Sequence, residues 1–529
     1  MSKIISKLTI YTLILSLAAC DFSDIEISKW SSIFSEPSTI ASSFDSGTYK
    51  NESLRLEFSS KNAHRLIVFY NGDSVSVYND TVGLIIGNKK NTISFIPTAG
   101  ENNTNYKHSW LAPKKGLSSF HKVQVYSYDI EGRLLASLTQ RFVLGAQRKD
   151  FLPVVNLQVN NQYLFSADSG CYVPGNSFKT DDEYNSGNYY LFKKRKQLSW
   201  IEIFDTAKLY LSDSLLFRIH GLITPVAPQK SLRFYLDTVN SKLPQLLGLD
   251  HSLDKFILRS SYSGWDTELF VDGWISDICK NLNLDVMAYR PVKVFLNNEY
   301  WGIHGLRERM DLNAISAKHQ LKLKKIIDGD DKGYSNKTKS FGDLNELLKL
   351  VKADDSAVDY KKIKKAFKMK SLTDWLIVEL FFQNTDWPCN NTFFWKKTKK
   401  SGEWRAVLID MDAAVGNPNM NMFEFATKDR SPLLGGVLAT YLLNHPDFQA
   451  SFTERVVYLF ENDLSEKVLK EKLASYKLLF DPVIQEHYRR WNPDHGLKDY
   501  KRALKRLDKF CENRHESFIQ NMNAYFQGN

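Results

Sequence analysis

The hydrophobic periodicity changes along the chain, and this change constrains the fold more than any other feature. Between residues 42 and 145 apolar and polar residues alternate, as in the segment 54–58, LRLEF. Alternation of period two indicates strands with one buried face. After Asp311 apolar residues recur at helical spacing, and the region between carries both patterns. The sequence therefore predicts an α+β protein, with a small antiparallel β-sandwich at 42–148 followed by a larger domain at 150–529.

Within the larger domain the two periodicities follow each other in order, strands first and helices second. Strands are predicted at residues 214–219, 231–236, 255–259 and 292–296. Helices are predicted at residues 268–283, 344–351, 360–369, 372–383 and 468–480. Asn297 and Asn298 predict a hairpin turn between two strands. A strand-rich half followed by a helix-rich half, with the polar motifs near their junction, suits two lobes around a cleft.

Residues 1–20 have the features of an export signal. Lys3 and Lys7 precede a short apolar run at 8–17, which is too short to span a bilayer permanently. The run ends in Leu17-Ala18-Ala19-Cys20, which resembles the bacterial lipobox, and this resemblance implies lipidation of Cys20. The alternative is an ordinary secretion signal with a chance cysteine. We expect a Ser-rich tether at 21–41 and a lipoprotein of the bacterial cell envelope, outside the cytoplasm and attached to the membrane through lipid only.

The net charge of +10 is concentrated in lysine- and arginine-rich runs at 193–196, 361–370 and 396–400. Such runs are commonly solvated faces and loops. They also fit the attraction of acidic partners, such as a nucleotide, an anionic glycan or a membrane surface. No nucleic-acid-binding module is recognisable, so no nucleic-acid partner is predicted. The four cysteines after Cys20 show no metal-ligand spacing.

Two polar segments carry the most specific chemical signal. Asn384, Asp386 and Asn391 follow an apolar helix, and further on a buried strand ends in Asp410-Met411-Asp412. In an extended chain, residues two apart face the same side, so Asp410 and Asp412 should project together. The carboxylates of Asp410 and Asp412, together with an amide oxygen, would form a hard oxygen site that suits Mg²⁺, and Asp386, five residues before Asn391, could accept a proton from a hydroxyl. The alternative is that these residues only cap a turn and a strand end.

Upstream candidates could hold the phosphates of a nucleotide. Arg218 lies on a strand before a loop, and Lys230 begins the next strand, where an ammonium group could contact phosphate. Asp272, on the following helix, is a candidate partner for Lys230. Glu308 lies where the two halves would join, and it could face the nucleotide or form a structural ion pair.

Together these segments resemble the CotH kinase family. The matching residues are Arg218-Ile219-His220-Gly221, Pro228-Gln229-Lys230-Ser231-Leu232-Arg233, Arg290-Pro291, Phe295-Leu296-Asn297, Tyr300-Trp301-Gly302, Arg307-Glu308, Asn384-Thr385-Asp386-Trp387-Pro388, Asn390-Asn391, Asp410-Met411-Asp412 and Gly416. The resemblance implies a two-lobed atypical kinase that uses ATP and Mg²⁺ to phosphorylate Ser or Thr of an unidentified protein. It also implies roles for single residues: phosphate contact for Lys230, catalysis for Asp386, and metal binding for Asn391 and Asp410, supported by Asp412. The N-terminal sandwich more weakly resembles the chitobiase C-terminal-like module.

The chain departs from ordinary protein kinases at several points. No GxGxxG loop precedes Lys230, and Asn384-Thr385 stands where His-Arg would be. Asp410-Met411-Asp412 replaces Asp-Phe-Gly, and ATP is scarce outside the cytoplasm. Two alternatives therefore remain open: a non-catalytic surface module for adhesion or assembly, and an enzyme that transfers AMP from the same site.

Overall fold

The computed structural model describes residues 39–70, 73–87, 92–100, 109–146, 151–205, 208–236, 241–330, 360–388, 390–397, 402–427 and 434–528. Cys20, the signal segment, nearly all of the tether and the helix predicted at 344–351 lie outside these residues. Lipidation and a cell-envelope location therefore stay predictions. Within the described ranges, no helix combines the length and the apolar character needed to cross a bilayer.

Strands predominate in the first half of the described chain and helices in the second. The strands are β1 Ile40–Ser42, β2 Gly47–Tyr49, β3 Ser53–Ser60, β4 Arg65–Tyr70, β5 Asp73–Val77, β6 Thr81–Gly87, β7 Ser119–Tyr128, β8 Leu134–Leu144, β9 Val154–Gln158, β10 Gln197–Phe204, β11 Leu209–His220, β12 Ser231–Tyr235, β13 Lys255–Arg259, β14 Asp285–Val286, β15 Tyr289–Leu296, β16 Glu299–Glu308, β17 Ile326–Asp330, β18 Phe393–Lys397 and β19 Arg405–Leu408. The helices are α1 Asn161–Phe165, α2 Asn188–Leu191, α3 Leu243–Leu247, α4 Val271–Cys279, α5 Leu312–Lys318, α6 Tyr360–Ala366, α7 Met369–Phe382, α8 Met422–Thr427, α9 Leu434–Leu443, α10 Pro446–Glu461, α11 Glu466–Phe480, α12 Ile484–Trp491 and α13 Gly496–Gly528. The predicted α+β class is confirmed.

The chain forms two compact units. The first comprises Met1–Ser46, Leu54–Ile86 and His121–Arg141, and the second comprises Gly47–Ser53, Gly87–Phe120 and Phe142–Asn529. Residues 87–120 thus associate with the second unit, although they lie within the range predicted for the sandwich. The domain boundaries proposed from the sequence stay predictions.

The first unit is rich in antiparallel strands, as predicted. One sheet has the order β1-β3-β6, and in the other β4 pairs antiparallel with β5 and β7. Every second residue of β3, beginning with Leu54, is buried, because alternate side chains of a strand face opposite sides. The period of two in the sequence identified this strand correctly. The resemblance to the chitobiase C-terminal-like module stays a prediction.

The second unit is built around a closed sheet of seven strands. Its order is β13-β12-β11-β10-β9-β15-β16, and β13 also pairs with β16, which closes the circuit. β9 and β15 are parallel, and the other neighbours are antiparallel. On one face Phe217, Phe234 and Phe256 stack across β11, β12 and β13, with ring centroids 5.5 and 4.8 Å apart. These rings belong to the core, so residues one position away along each strand lie on the opposite face.

The predicted hairpin between β15 and β16 is confirmed. Asn297 and Asn298 have φ values of 48° and 71° and join the two strands as a two-residue turn. Positive φ at both central residues is the requirement of the turn that matches the twist of a hairpin, and Asn tolerates it well.

Helix α7 positions the C-terminal polar residues. It is buried along nearly its whole circumference from Ser371 to Phe382, so it forms part of the core instead of covering it. Gln383 ends the helix in the left-handed conformation, with φ of 59°. A second sheet, of order β14-β19-β18-β17, lies next in the fold, with β19 in contact with α7. The arrangement of two kinase lobes stays a prediction.

Candidate active site

The loop after α7 is fixed by hydrogen bonds to the last turn of the helix and within the loop itself. The Nδ2 of Asn384 donates to the Oε2 of Glu379 at 2.9 Å, and the backbone N–H of Asp386 donates to the Oδ1 of Asn384 at 3.3 Å. The N–H of Asn390 then donates to the carbonyl of Asp386 at 2.8 Å. Burial raises the pKa of Glu379 to about 8. Its hydrogen bond with Asn384 makes this carboxyl a structural support for the loop. Asp386 itself is exposed.

The loop after β19 brings Asp410 and Asp412 together, as predicted, but with a different backbone geometry. β19 ends at Leu408, and Asp410 adopts φ of 59° and ψ of 56°, so the extended conformation expected through Asp412 is wrong. The chain turns into a 3₁₀ turn, Met411–Ala413, and this turn brings the two carboxylates together. Both pair with Nη2 of Arg259: Asp410 through Oδ1, and Asp412 through Oδ2 at 3.0 Å. The two carboxylates therefore converge, although no strand carries them.

The two loops are in direct contact with each other. The Oγ1 of Thr385 donates to the carbonyl of Ala413 at 3.0 Å, and the backbone N–H of Val415 donates to the carbonyl of Phe382 at 2.7 Å. Asp386 and the carboxylate pair therefore lie on adjoining loops, as a shared site requires.

Asn391 lies beside the predicted catalytic residue. Its Nδ2 is 3.5 Å from the Oδ2 of Asp386, and its side chain is buried. The spacing between Asp386 and Asn391 thus places the two in contact. Among the described residues, no group of three or more His, Cys, Asp or Glu side chains is arranged to hold a metal ion.

The carboxylate pair has the chemistry of a cation site. Burial raises the pKa of Asp412 to about 7, and the neighbouring charges of Asp410 and Asp272 add to this effect, although Arg259 opposes it. Two carboxylates that repel each other and share one guanidinium offer hard oxygen donors, which Mg²⁺ prefers. Asp410 and Asp412 therefore fit a divalent cation, with Arg259 as the competing positive charge.

Strained backbone is concentrated in these loops. Gln383, Asn391, Asp410 and Val415 all have φ between 59° and 64°. This region is costly for residues other than glycine, and most of all for β-branched Val415. Such strain is retained where the surrounding structure fixes it, and it is enriched at functional sites.

Asp272 has different partners from the one predicted. Its Oδ2 lies 3.3 Å from the Nε of Arg259 and pairs with the Nη1 of Arg307, while its Oδ1 accepts from the N–H of Met411 at 3.2 Å. Although burial opposes the charge, Asp410, Asp412 and Asp272 raise the pKa of Arg259 well above its usual value. The prediction that Asp272 holds Lys230 is wrong; Asp272 holds the arginines behind the carboxylate pair.

Lys230 is not placed to bind phosphate. Its side chain is fully buried, and its Nζ donates to the carbonyls of Thr98, Pro225 and Ala227 at 2.8, 2.7 and 2.9 Å. An ammonium group has three N–H donors, and these three carbonyls use all of them. Burial lowers the pKa of Lys230 well below its usual value. The phosphate role predicted for Lys230 disagrees with this placement, and the residue instead links the loop before β12, through Pro225 and Ala227, to Thr98.

The remaining upstream candidates, Glu308 and Arg218, differ in their burial and in their hydrogen-bond partners. Glu308 is fully buried, with Oε2 at 3.1 Å from the Nε2 of His251 and Oε1 accepting from the N–H of Ala288 at 2.9 Å. Of its two predicted roles, these contacts favour the structural ion pair. Arg218 is half-buried, and its Nε donates to the Oη of Tyr235 at 3.0 Å.

Two residues of the site were missed from the sequence. Arg259 is the last residue of a predicted strand, where a single arginine is an ordinary surface residue. Glu379 falls inside the apolar helix, where a buried carboxylate would have been a usable signal. Both were overlooked because their partners, Asp410 and Asn384, are distant or belong to a loop.

The fold and the site together define an α+β protein with a carboxylate–arginine cluster beside a strained loop. Residues 217–518 match the family model described as CotH kinase protein, and the chain belongs to this family. A search of curated proteins found no match. Among solved structures, the fibronectin(III)-like modules of Clostridium thermocellum CbhA match with 11% identity over 20% of this chain and 95% of theirs, at a TM-score of 0.12. That score is too low to indicate a shared fold.

Proposed function

We propose that the chain is an atypical protein kinase that transfers the γ-phosphoryl group of ATP to Ser or Thr of an extracytoplasmic protein. The observation that carries the proposal is the contact between the two loops, in which Thr385 donates to the carbonyl of Ala413 at 3.0 Å. This contact supports the proposal because the loop of Asp386, the proposed proton acceptor, adjoins the loop of Asp410 and Asp412, the proposed metal ligands. Membership of the CotH kinase family supports the same reaction class.

In the proposed reaction, the acceptor hydroxyl oxygen forms a bond to the γ-phosphorus of ATP. The bond from that phosphorus to the β–γ bridging oxygen breaks, and ADP leaves with the electron pair. Asp386 accepts the hydroxyl proton. Asp410 and Asp412 would hold Mg²⁺, which would neutralise phosphate charge when bound. Asn391, in contact with Asp386, would fix the orientation of that carboxylate.

The test uses the purified full-length chain with Mg²⁺ and γ-labelled ATP, with casein and envelope proteins as acceptors. Wild type should label protein, and Asp386→Ala and Asp410→Asn should not. Asp213→Asn, an exposed change on β11, is the matched control and should keep full activity. Asp386→Ala should still bind Mg·ATP. Label transferred only from α-labelled ATP would indicate AMP transfer instead.

One observation favours a second function, a non-catalytic binding module on the same fold. Lys230 is the residue expected to grip phosphate, and its three donors are used by backbone carbonyls. A chain that binds no nucleotide under any metal condition would be better described as such a module.

A further inference from the structure

Since Lys230 is buried, the phosphate chain of a nucleotide needs another positive surface. The face of β11 and β12 opposite the phenylalanine stack carries one. Arg218 and Arg233 lie directly opposite each other in the antiparallel register, and both are half-buried. Like charges in this position destabilise a sheet, so a facing pair of arginines calls for a compensating anion.

Within the described residues, no carboxylate compensates either arginine. Arg218 donates from Nε to the Oη of Tyr235 at 3.0 Å, and Arg233 donates from Nη2 to the Nδ1 of His220 at 2.8 Å. Among the described residues, neither forms an ion pair with Asp or Glu. The Nε of Arg233 is buried and has no hydrogen-bond partner within the described part of the chain. Buried polar groups are normally satisfied, so an unsatisfied donor of this kind indicates a missing ligand or water.

The pKa shifts in the cluster formed by Arg218, Arg233 and His220 also indicate a site for an anion. Burial lowers the pKa of Arg233 to about 10, and the neighbouring Arg309 and Arg218 add to the effect. Burial and the surrounding arginines, with Arg233 first among them, lower the pKa of His220 well below its usual value. His220 therefore stays neutral at physiological pH and accepts a hydrogen bond from Arg233. The part of each pKa shift that comes from neighbouring positive charges reflects repulsion, which a bound polyanion would relieve.

The cluster continues to the carboxylate pair. Arg233 lies opposite Ile257 of β13, and Arg259 is two residues further along that strand, on the same face as Arg218 and Arg233. Arg218, Arg233 and Arg259 therefore form a row across the three strands. Neighbouring strands are about 4.8 Å apart, so β11 and β13 are separated by roughly 10 Å. This distance is of the order of an extended triphosphate. One end of the row would therefore meet the phosphate nearest to a metal held by Asp410 and Asp412.

We propose that Arg218 and Arg233 bind the phosphate chain of a nucleoside triphosphate, in place of Lys230. This inference rests on the proposed function, because it assigns the phosphate contacts of the same site. Two guanidinium groups can each make paired hydrogen bonds to phosphate oxygens, which a single ammonium group cannot. An acidic acceptor protein is the rival occupant of this surface, and the test separates the two.

The experiment measures binding of sodium tripolyphosphate, ATP, AMP and a polyglutamate peptide to the full-length chain by calorimetry, without divalent cation and with Mg²⁺. The variants are Arg218→Gln, Arg233→Gln and the double change. The matched control is Arg502→Gln, which removes the same charge from an exposed position on α13. We expect affinity for tripolyphosphate and ATP to fall roughly tenfold for each site change, with little change for AMP or in the control.

Arg218→Lys and Arg233→Lys are the controls for a folding defect. They should keep part of the affinity for tripolyphosphate and have the unfolding midpoint of wild type. The inference is overturned if wild type does not bind tripolyphosphate, or if Arg502→Gln weakens binding as much as the site changes. It is also overturned if the site changes weaken only an acidic peptide. If the arginine changes abolish tripolyphosphate binding but wild type transfers no phosphate, the anion site stands and the proposed kinase activity fails.

Discussion

The guanidinium of Arg259 lies 3.0 Å from the Oδ2 of Asp412 and also pairs with Asp410. One arginine from the closed sheet thus neutralises both carboxylates of the loop after β19. The same carboxylates are the proposed metal ligands. Arg259 and a divalent cation therefore compete for the same oxygens, and this competition has measurable consequences.

Replacing Arg259 with Gln should strengthen metal binding and weaken the metal-free fold. Removal of the competing charge should raise Mn²⁺ affinity roughly tenfold, measured by electron paramagnetic resonance in the absence of nucleotide. Without metal, two mutually repelling carboxylates lose their counter-charge, so the free energy of unfolding should fall by about 2 kcal/mol in denaturant titrations. Arg502→Gln is the control. Weaker Mn²⁺ binding in Arg259→Gln would contradict the assignment of the carboxylates as metal ligands.

Asp412 should make the metal-free protein less stable as the pH rises. Its pKa is raised from the usual 3.8 to about 7, so between these values the folded state binds more protons than the unfolded state. Stability is therefore highest below about pH 4 for this group and falls progressively as the pH rises to 7. Asp412→Asn should flatten this dependence in thermal unfolding curves recorded from pH 5 to 8 with a chelator present.

Asp213→Asn serves as the control for that experiment and should follow wild type. Addition of Mg²⁺ at pH 8 should restore much of the lost stability in wild type and in Asp213→Asn, but not in Asp412→Asn. If the stability of wild type and of Asp412→Asn changes equally between pH 5 and 7, Asp412 is not the group responsible for the pH dependence.

The sequence predicted the meeting of Asp410 and Asp412 correctly but by the wrong geometry. Alternation along a strand would place both on one face, whereas the strand ends at Leu408 and a left-handed residue turns the chain. Local periodicity cannot reveal such a turn, because the hydrophobic pattern does not show which Asp residues adopt the positive φ that this residue type occasionally takes. The contact between Asp386 and Asn391 is local, five residues apart, and was therefore accessible from the sequence.

Lys230 illustrates why other features of the site could not be predicted from the sequence. Nothing around it in the sequence indicates that the carbonyl of Thr98, 132 residues away, accepts a hydrogen bond from its ammonium group. Burial by distant backbone converts a plausible phosphate ligand into a structural cation. Arg259 was missed for the converse reason, since its partners Asp410 and Asp412 lie in a distant loop.

Lys230→Met should therefore act on stability and leave nucleotide affinity unchanged. The substitution deprives three buried carbonyls of a donor, and each unsatisfied group is costly, while the apolar side chain avoids the desolvation of an ammonium. We expect a net loss of about 2 kcal/mol in the free energy of unfolding. Lys501→Met, at an exposed position on α13, should change neither quantity. A large drop in ATP affinity for Lys230→Met at unchanged stability would restore the phosphate role predicted from the sequence.

The pair of Glu308 and His251 allows the structural and nucleotide-facing roles of Glu308 to be separated. The hydrogen bond to Glu308 raises the pKa of His251 above 6.5, and Asp250 contributes less. The stabilisation from a protonated His251 is therefore complete below pH 6.5 and is lost as the pH rises through the folded-state pKa. In Glu308→Gln the titration midpoint of the His251 ring, followed by proton NMR, should move down. The exposed Asp250→Asn should lower it less. ATP affinity should be the same in all three proteins, because Glu308 is fully buried against His251 and Ala288; a loss confined to Glu308→Gln would place this carboxylate in the nucleotide site instead.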